Sequence, residues 1–179
     1  MQDPADEFAA IAEEIATRAQ AAGLTVGVAE SLTSGAIANS LGAAPEASEW
    51  FRGGVVAYSE SVKRRVLGVE AELVVSAQCA SELATGVARL LDADAAVAVT
   101  GVGGPDPADG EPPGTVFAAV AVRGEVRGAR FAFEGDPAHV VHRTVGAALD
   151  LLRAALPPAS SHPDSGEGPL LRTKSEKSS

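Results

Sequence analysis

The chain has 179 residues, 46% of them hydrophobic and only 4% aromatic, which points to a single domain whose core is built from Ala, Val and Leu. With 14 Lys and Arg against 24 Asp and Glu, its formal charge is -10; this excludes wrapping a nucleic acid or adhering to an anionic membrane surface, and leaves room for a small anion at a local site. A single cysteine, Cys79, excludes an internal disulfide, the start MQDPADEFAAIAEEIATRAQ lacks the regions of a signal peptide, and no apolar run is long enough to span a bilayer, so the reading is a soluble protein of the cytoplasm.

Asp3-Pro4 reads as a helix start, and Phe8, Ile11, Ile15 and Ala19 recur at helical spacing until Gly23. Thr25 to Ala29 reads as a short buried strand, and Thr33 to Leu41 as a helix of small residues able to pack closely on a sheet. Gly53 to Tyr58 is a second strand, after which Ser59 caps a short helix containing Lys63. A helix opens at Ser81 and runs towards Asp92. Ala95 to Thr100 (AAVAVT) is a continuous apolar strand of the kind buried on both faces, ending in the turn-rich Gly101-Val102-Gly103-Gly104-Pro105. Thr115 to Val122 and Glu125 to Phe133 form a hairpin across Arg123-Gly124, and Asp136 to Leu156 closes the domain as a helix. Alternating helices and strands followed by a late hairpin predict an α/β fold, a three-layer α/β/α sandwich with a mixed, mostly parallel sheet over residues 1–156. Pro157 to Ser179, rich in Pro, Ser and Gly with as many acids as bases, reads as a disordered tail, so the whole net charge belongs to the domain.

In open α/β sheets ligands gather where strands end and helices begin, and three segments fall at such joins. They are Glu30 to Gly35, Tyr58 with Lys63, and Thr100 to Pro105 continuing to Pro113-Gly114-Thr115. Ser31 reads two ways: as an N-cap whose hydroxyl accepts an orphan N–H, or as a nucleophile beside N–H groups able to hold an oxyanion or a phosphate. In the second reading Thr33 and Ser34 bind ligand oxygens and Gly35 allows close approach. Glu30 is ambiguous, because an acid near a helix N-terminus is favourable in itself. Lys63 lies in the triplet Lys63-Arg64-Arg65, which reads either as a solvated face or, because two guanidinium groups and partial burial disfavour a further cation, as a base of depressed pKa. Serine activated by lysine is an alternative to Ser-His-Asp.

Tyr58, the only tyrosine, is a strand-end aromatic or, where its hydroxyl faces Lys63 and Ser31, a proton relay. Thr100, Gly101, Gly103, Gly104 and Thr115 read as a substrate-lining loop, without the Lys-Ser/Thr of a Walker loop and without GxGxxG spacing. His139 and His142 have no Cys or acidic partner at ligand spacing and read as solvent-facing, so no metal and no cofactor is expected.

The ordered series VAESLTSG, FRGGVVAYSESVKRRVLGV, AVTGVGGPDP, PPGTVF and FEGD with the closing helix resembles the CinA C-terminal-domain family, which includes bacterial nicotinamide-nucleotide amidases, over most of residues 8–156. The resemblance implies the three-layer α/β/α fold, a stand-alone form without the larger N-terminal domain of full-length relatives, and a homodimer. It also implies hydrolysis of the carboxamide of nicotinamide mononucleotide to nicotinic acid mononucleotide and ammonia. Ser31 is then the nucleophile, Lys63 the base and Tyr58 the assisting hydroxyl, with backbone N–H groups near Thr33 to Gly35 holding the oxyanion. The chain departs from the family pattern in places. Leu32-Thr33-Ser34-Gly35 stands where Cys-Thr-Gly-Gly is commonest, Glu111 where a basic residue is typical, and Pro137 and Val141 at the positions of two arginines, with Arg143 displaced. The change at Glu111 removes a cation facing the substrate, the displaced Arg143 is a candidate substitute for the two arginines, and together the changes put phosphate recognition in doubt while leaving the hydrolytic group intact. Two other readings stand beside the amidase: a non-catalytic nucleotide-binding or regulatory protein, and a Ser/Lys amidase for a different small amide.

Overall fold

The computed structural model describes residues 7–159. Helix α1 (Ala9–Ala22) leads to strand β1 (Val26–Glu30), and α2 (Ala36–Gly42) and the one-turn α3 (Ala47–Trp50) lead to β2 (Phe51–Val56). Helices α4 (Glu60–Leu67) and α5 (Ala77–Leu91) precede β3 (Ala95–Gly101), which is followed by β4 (Thr115–Val122), β5 (Glu125–Ala132) and α6 (Pro137–Ala155). The strands lie in the order β2-β1-β3-β4-β5. β1 pairs parallel with both β2 and β3, and β4 pairs antiparallel with β3 and β5, so β4 alone runs against the other strands.

Two apolar cores follow from the alternation of side chains across the sheet. Val26, Val28, Val97, Val99, Ala118 and Val120 face α1, α2 and α6, where Ile15, Ile37, Leu149 and Leu152 meet them. Ala29, Ala96, Ala98, Phe117, Ala119 and Ala121 face α4 and α5, where Leu67, Leu83 and Val87 pack. The alanines on that second face let α5 lie close to the strands. The helix layer is tightened again where α5 passes α4: a Cβ at Gly86 would stand 2.1 Å from the Leu67 carbonyl oxygen.

Several boundaries differ from those read in the sequence, each for a local reason. The expected helix start at Asp3-Pro4 lies outside the described residues, as does most of the segment read as a tail; α1 ends as expected at Gly23, at φ 63°. Helix α2 starts at Ala36 rather than Thr33, because Ser34 (φ 50°) and Gly35 (φ 103°) turn left-handed and break the helix there. β2 covers Phe51–Val56 rather than Gly53 to Tyr58, since the chain leaves the sheet at Ala57. Helix α5 starts four residues before Ser81, capped by Ser76, whose hydroxyl accepts the Cys79 N–H at 3.1 Å. α3, not anticipated, carries the fully buried Trp50, whose indole N–H donates to the Pro45 carbonyl. The β4–β5 turn holds both Arg123 (φ 49°) and Gly124 (φ 88°) left-handed, as a two-residue hairpin of right-handed twist requires.

Candidate active site

The chain order places β2 on one side of β1 and β3 on the other, so the connections diverge at the C-terminal end of β1 and leave a crevice there. Three chain segments end in it. Ser31 follows β1, Ala57 and Tyr58 follow β2, and Thr100 and Gly101 end β3. A cavity of about 310 Å³ opens at this point, lined among others by Ser31, Tyr58, Lys63, Val75, Gly103 and Val141.

Glu30 and Ser31 face opposite ways, and that divides their work. The Glu30 carboxylate, buried at 1% exposure, points to the α2 layer and accepts the N–H groups of Gly35 (3.1 Å), Ile37 (3.1 Å) and Ala38 (2.8 Å). It therefore closes the start of α2 from inside the fold, satisfying donors that a helix N-terminus leaves without partners. Ser31 is relieved of capping and turns to the other face.

There its hydroxyl oxygen lies 2.9 Å from Nζ of Lys63. Lys63 is only 3% exposed. Its Nζ also donates to the carbonyls of Ala57 (2.8 Å) and Tyr58 (3.0 Å), and no carboxylate bonds it among the described residues. Burial pushes its pKa below the ordinary lysine range; the carboxylates of Glu60 and Asp109 pull the other way. The neighbouring guanidinium groups, expected to contribute, are not the cause. Arg64 swings to Glu60 at 2.8 Å and to the carbonyls of Val69 and Glu72, and Arg65 is exposed.

A neutral lysine has two N–H bonds and one lone pair. With the Ala57 and Tyr58 carbonyls holding the two hydrogens, the lone pair is left for the Ser31 hydroxyl, which then donates to it. The arrangement can remove a proton from serine. Cys79 is no rival nucleophile: burial pushes its thiol up to about 11.

The other residues singled out in the sequence divide into two groups. Tyr58, Gly101, Gly103 and Gly104 line the cavity, as does Thr100, although the Thr100 hydroxyl is spent on the Val74 carbonyl at 2.6 Å. Tyr58 is 69% exposed, and its contact with Lys63 is made by its backbone carbonyl rather than its ring hydroxyl. Glu30, Thr33, Ser34, Gly35 and Thr115 do not line the cavity. The hydroxyls of Thr33 and Thr115 are buried without a partner among the described residues, closed off from any ligand in this conformation.

Nor do the Ser34 and Gly35 N–H groups remain for an oxyanion, since the Ser31 carbonyl and Glu30 take them. Those of Leu32 and Thr33 are engaged by no group among the described residues. His142 meets Glu7 at 3.1 Å and His139 lies exposed on the first turn of α6, and no group of His, Cys, Asp and Glu able to hold a metal occurs among the described residues.

The structure also adds a wall that the sequence reading missed. Val74 and Val75, in the loop between α4 and α5, close one side of the cavity. The Thr100 hydroxyl holds the Val74 carbonyl, and the Asp109 carboxylate accepts the Val75 N–H at 2.9 Å. Nothing in the string ADGE announces that reach; it depends on the 102–114 loop folding back, with Val102 and Gly114 bonded to each other's neighbourhood through Thr115 O and Val102 O.

Comparison with known proteins agrees with this architecture. A family profile described as the CinA C-terminal domain matches residues 8–156. Curated relatives include a putative competence-damage inducible protein of Geobacillus kaustophilus, 50% identical over 57% of this chain and 26% of its own length. One of the same name from Bacillus velezensis is 40% identical over 70% of this chain and 32% of its own. The chain thus spans a third or less of these relatives. Among solved structures, a CinA superfamily protein from Enterobacter cloacae superposes with a TM-score of 0.79 at 32% identity, covering 82% of this chain and 90% of that one. A competence/damage inducible protein from Agrobacterium tumefaciens gives 0.77 at 33% identity, covering 86% and 96%.

Proposed function

The chain belongs to the CinA C-terminal domain family, and from that premise and the buried Ser31–Lys63 contact we propose that it is an amidohydrolase, releasing ammonia from the carboxamide of nicotinamide mononucleotide to leave nicotinic acid mononucleotide. Neutral Lys63 takes the Ser31 proton as Oγ bonds to the carboxamide carbon. The oxygen of the tetrahedral adduct meets the N–H of Leu32, a lining residue whose N–H has no partner among the described residues. Protonated Lys63 then gives its proton to the amide nitrogen, the C–N bond breaks and ammonia leaves. Water attacks the acyl carbon as Lys63 takes up its proton; the C–Oγ bond then breaks, Lys63 returns the proton to Oγ of Ser31, and the acid is released.

The single observation that carries this reading is the 2.9 Å contact between Ser31 and a lysine held at 3% exposure by two backbone carbonyls. A regulatory module that only binds a nucleotide gains nothing from a buried amine whose charged form is disfavoured. The test follows ammonia from nicotinamide mononucleotide with wild type, Ser31→Ala and Lys63→Met. Each variant is expected to lose roughly a thousandfold or more in rate, as removal of one member of a nucleophile–base pair does. Undiminished turnover by Ser31→Ala rejects the mechanism, and ligand binding by wild type without any turnover supports the regulatory reading instead.

A further inference from the structure

The cavity that holds the Ser31–Lys63 pair is poorly made for a phosphate. Among its described lining residues Lys63 is the one basic side chain, and Lys63 has to be neutral to act as a base. The N-terminal turn of α6 also reaches the cavity, through Pro137 and Val141. Such a helix end attracts anions through its free N–H groups and its dipole. Here Pro137 has no N–H to give, and the Asp136 carboxylate already sits on the His139 N–H at 2.8 Å, so the position is taken by the protein's own anion.

Two arginines that could have turned towards a phosphate are committed elsewhere. Arg130 on β5 binds Glu111 at 2.7 Å and lies over the Phe117 ring. Arg143 lies over the Phe133 ring, in a separate groove between the start of α1, β5 and α6. Among the described residues the Asp109 carboxylate, which accepts the N–H of the lining residue Val75, is paired with no cation, whereas Glu60 is offset by Arg64 at 2.8 Å, and the chain has a net charge of -10.

We propose that this cavity makes no use of a substrate phosphate, so that the unphosphorylated pyridinium nucleoside is a better substrate than its mononucleotide. The inference rests on the amidase reading above and ranks the nucleoside ahead of the nucleotide among its substrates. A pyridinium nucleoside is a cation, whereas its phosphate ester is a net anion at neutral pH. The acidic surroundings attract the first and repel the second, and the chemistry at the carboxamide is the same for both.

Ammonia release from nicotinamide riboside and from nicotinamide mononucleotide, compared as kcat/KM on the full chain at low and moderate salt, tests the proposal. The riboside is expected to be preferred by about tenfold at low salt, with the gap narrowing as salt screens the repulsion. Inorganic phosphate at millimolar concentration is expected not to inhibit. Val141→Arg, which adds a guanidinium to the cavity wall, is expected to move the ratio towards the mononucleotide by about tenfold. A wild-type preference for the mononucleotide, or competitive inhibition by inorganic phosphate, overturns the proposal while leaving the amidase reading intact. Ammonia from neither compound rejects the amidase reading itself; calorimetric affinities of the two ligands for the same protein then decide the phosphate question separately.

Discussion

Lys63 and its surroundings determine at which pH the candidate chemistry runs. Burial lowers its pKa, and Glu60 and Asp109 oppose the shift, so the neutral, proton-accepting form is present above the depressed value and lost as pH falls through it. The expected kcat/KM profile therefore has an acid limb below the ordinary lysine range. Asp109→Asn keeps an oxygen for the Val75 N–H and removes the negative charge, which lowers the Lys63 pKa further. The acid limb of that variant is expected to move to lower pH in a profile measured beside wild type; a limb that stays put, or moves up, detaches Asp109 from the base. Ser31 and Lys63 could be singled out from residue types at strand–helix joins. Their division of labour could not, because the three donors to Glu30 and the two acceptors around Lys63 are backbone groups that every residue possesses. The same limit explains Tyr58, where a ring hydroxyl was the visible feature and the carbonyl is the group in contact.

At the level of elements, the position of Lys63 depends on how closely α4 lies on α5. Gly86 allows that approach, and a methyl group there would meet the Leu67 carbonyl at 2.1 Å. Gly86→Ala is expected to push α4 outward and to cost about 1–3 kcal/mol in urea unfolding, the range for overpacking. Because Lys63 travels with α4, turnover should fall more than the loss of stability explains, and a fully stable, fully active Gly86→Ala protein would show that the close approach is immaterial. Strands were legible wherever an apolar run such as AAVAVT had turn residues behind it. Helix starts were less so. Ser81 looks like the start of α5 in the sequence, whereas the burial of Cys79 and Ala80 against the sheet, which only the packed layer reveals, extends the helix back to Ala77 with Ser76 as its cap. The start of α2 was displaced for a related reason: its cap arrives from Glu30, the end of the preceding strand, and not from the turn itself.

Across the whole molecule, one sheet serves two unequal layers. The valines of β1, β3 and β4 go to the α1/α6 side, and most of their alanines, with Phe117, to the α4/α5 side. The alternation of helices and strands made the layers foreseeable, and the late hairpin foretold the antiparallel half of the sheet. The cavity was not foreseeable in shape, since it is closed by loops 68–76 and 102–114, which are far apart in sequence and joined through Asp109 and Thr100. The burial of Lys63 reaches beyond the pocket because protonation and folding are thermodynamically linked. An unfolded chain at neutral pH carries that lysine charged, and the folded chain disfavours the charge. Below the unfolded value the folded state is therefore penalised, and the penalty fades as pH rises towards it. Unfolding should take up protons there, so the calorimetric enthalpy of melting should vary with the ionisation enthalpy of the buffer in wild type and less so in Lys63→Met. Equal buffer dependence in the two proteins would mean that Lys63 folds already charged. A melting curve, with no ligand in the cell, thus measures the readiness of the base before any substrate is known.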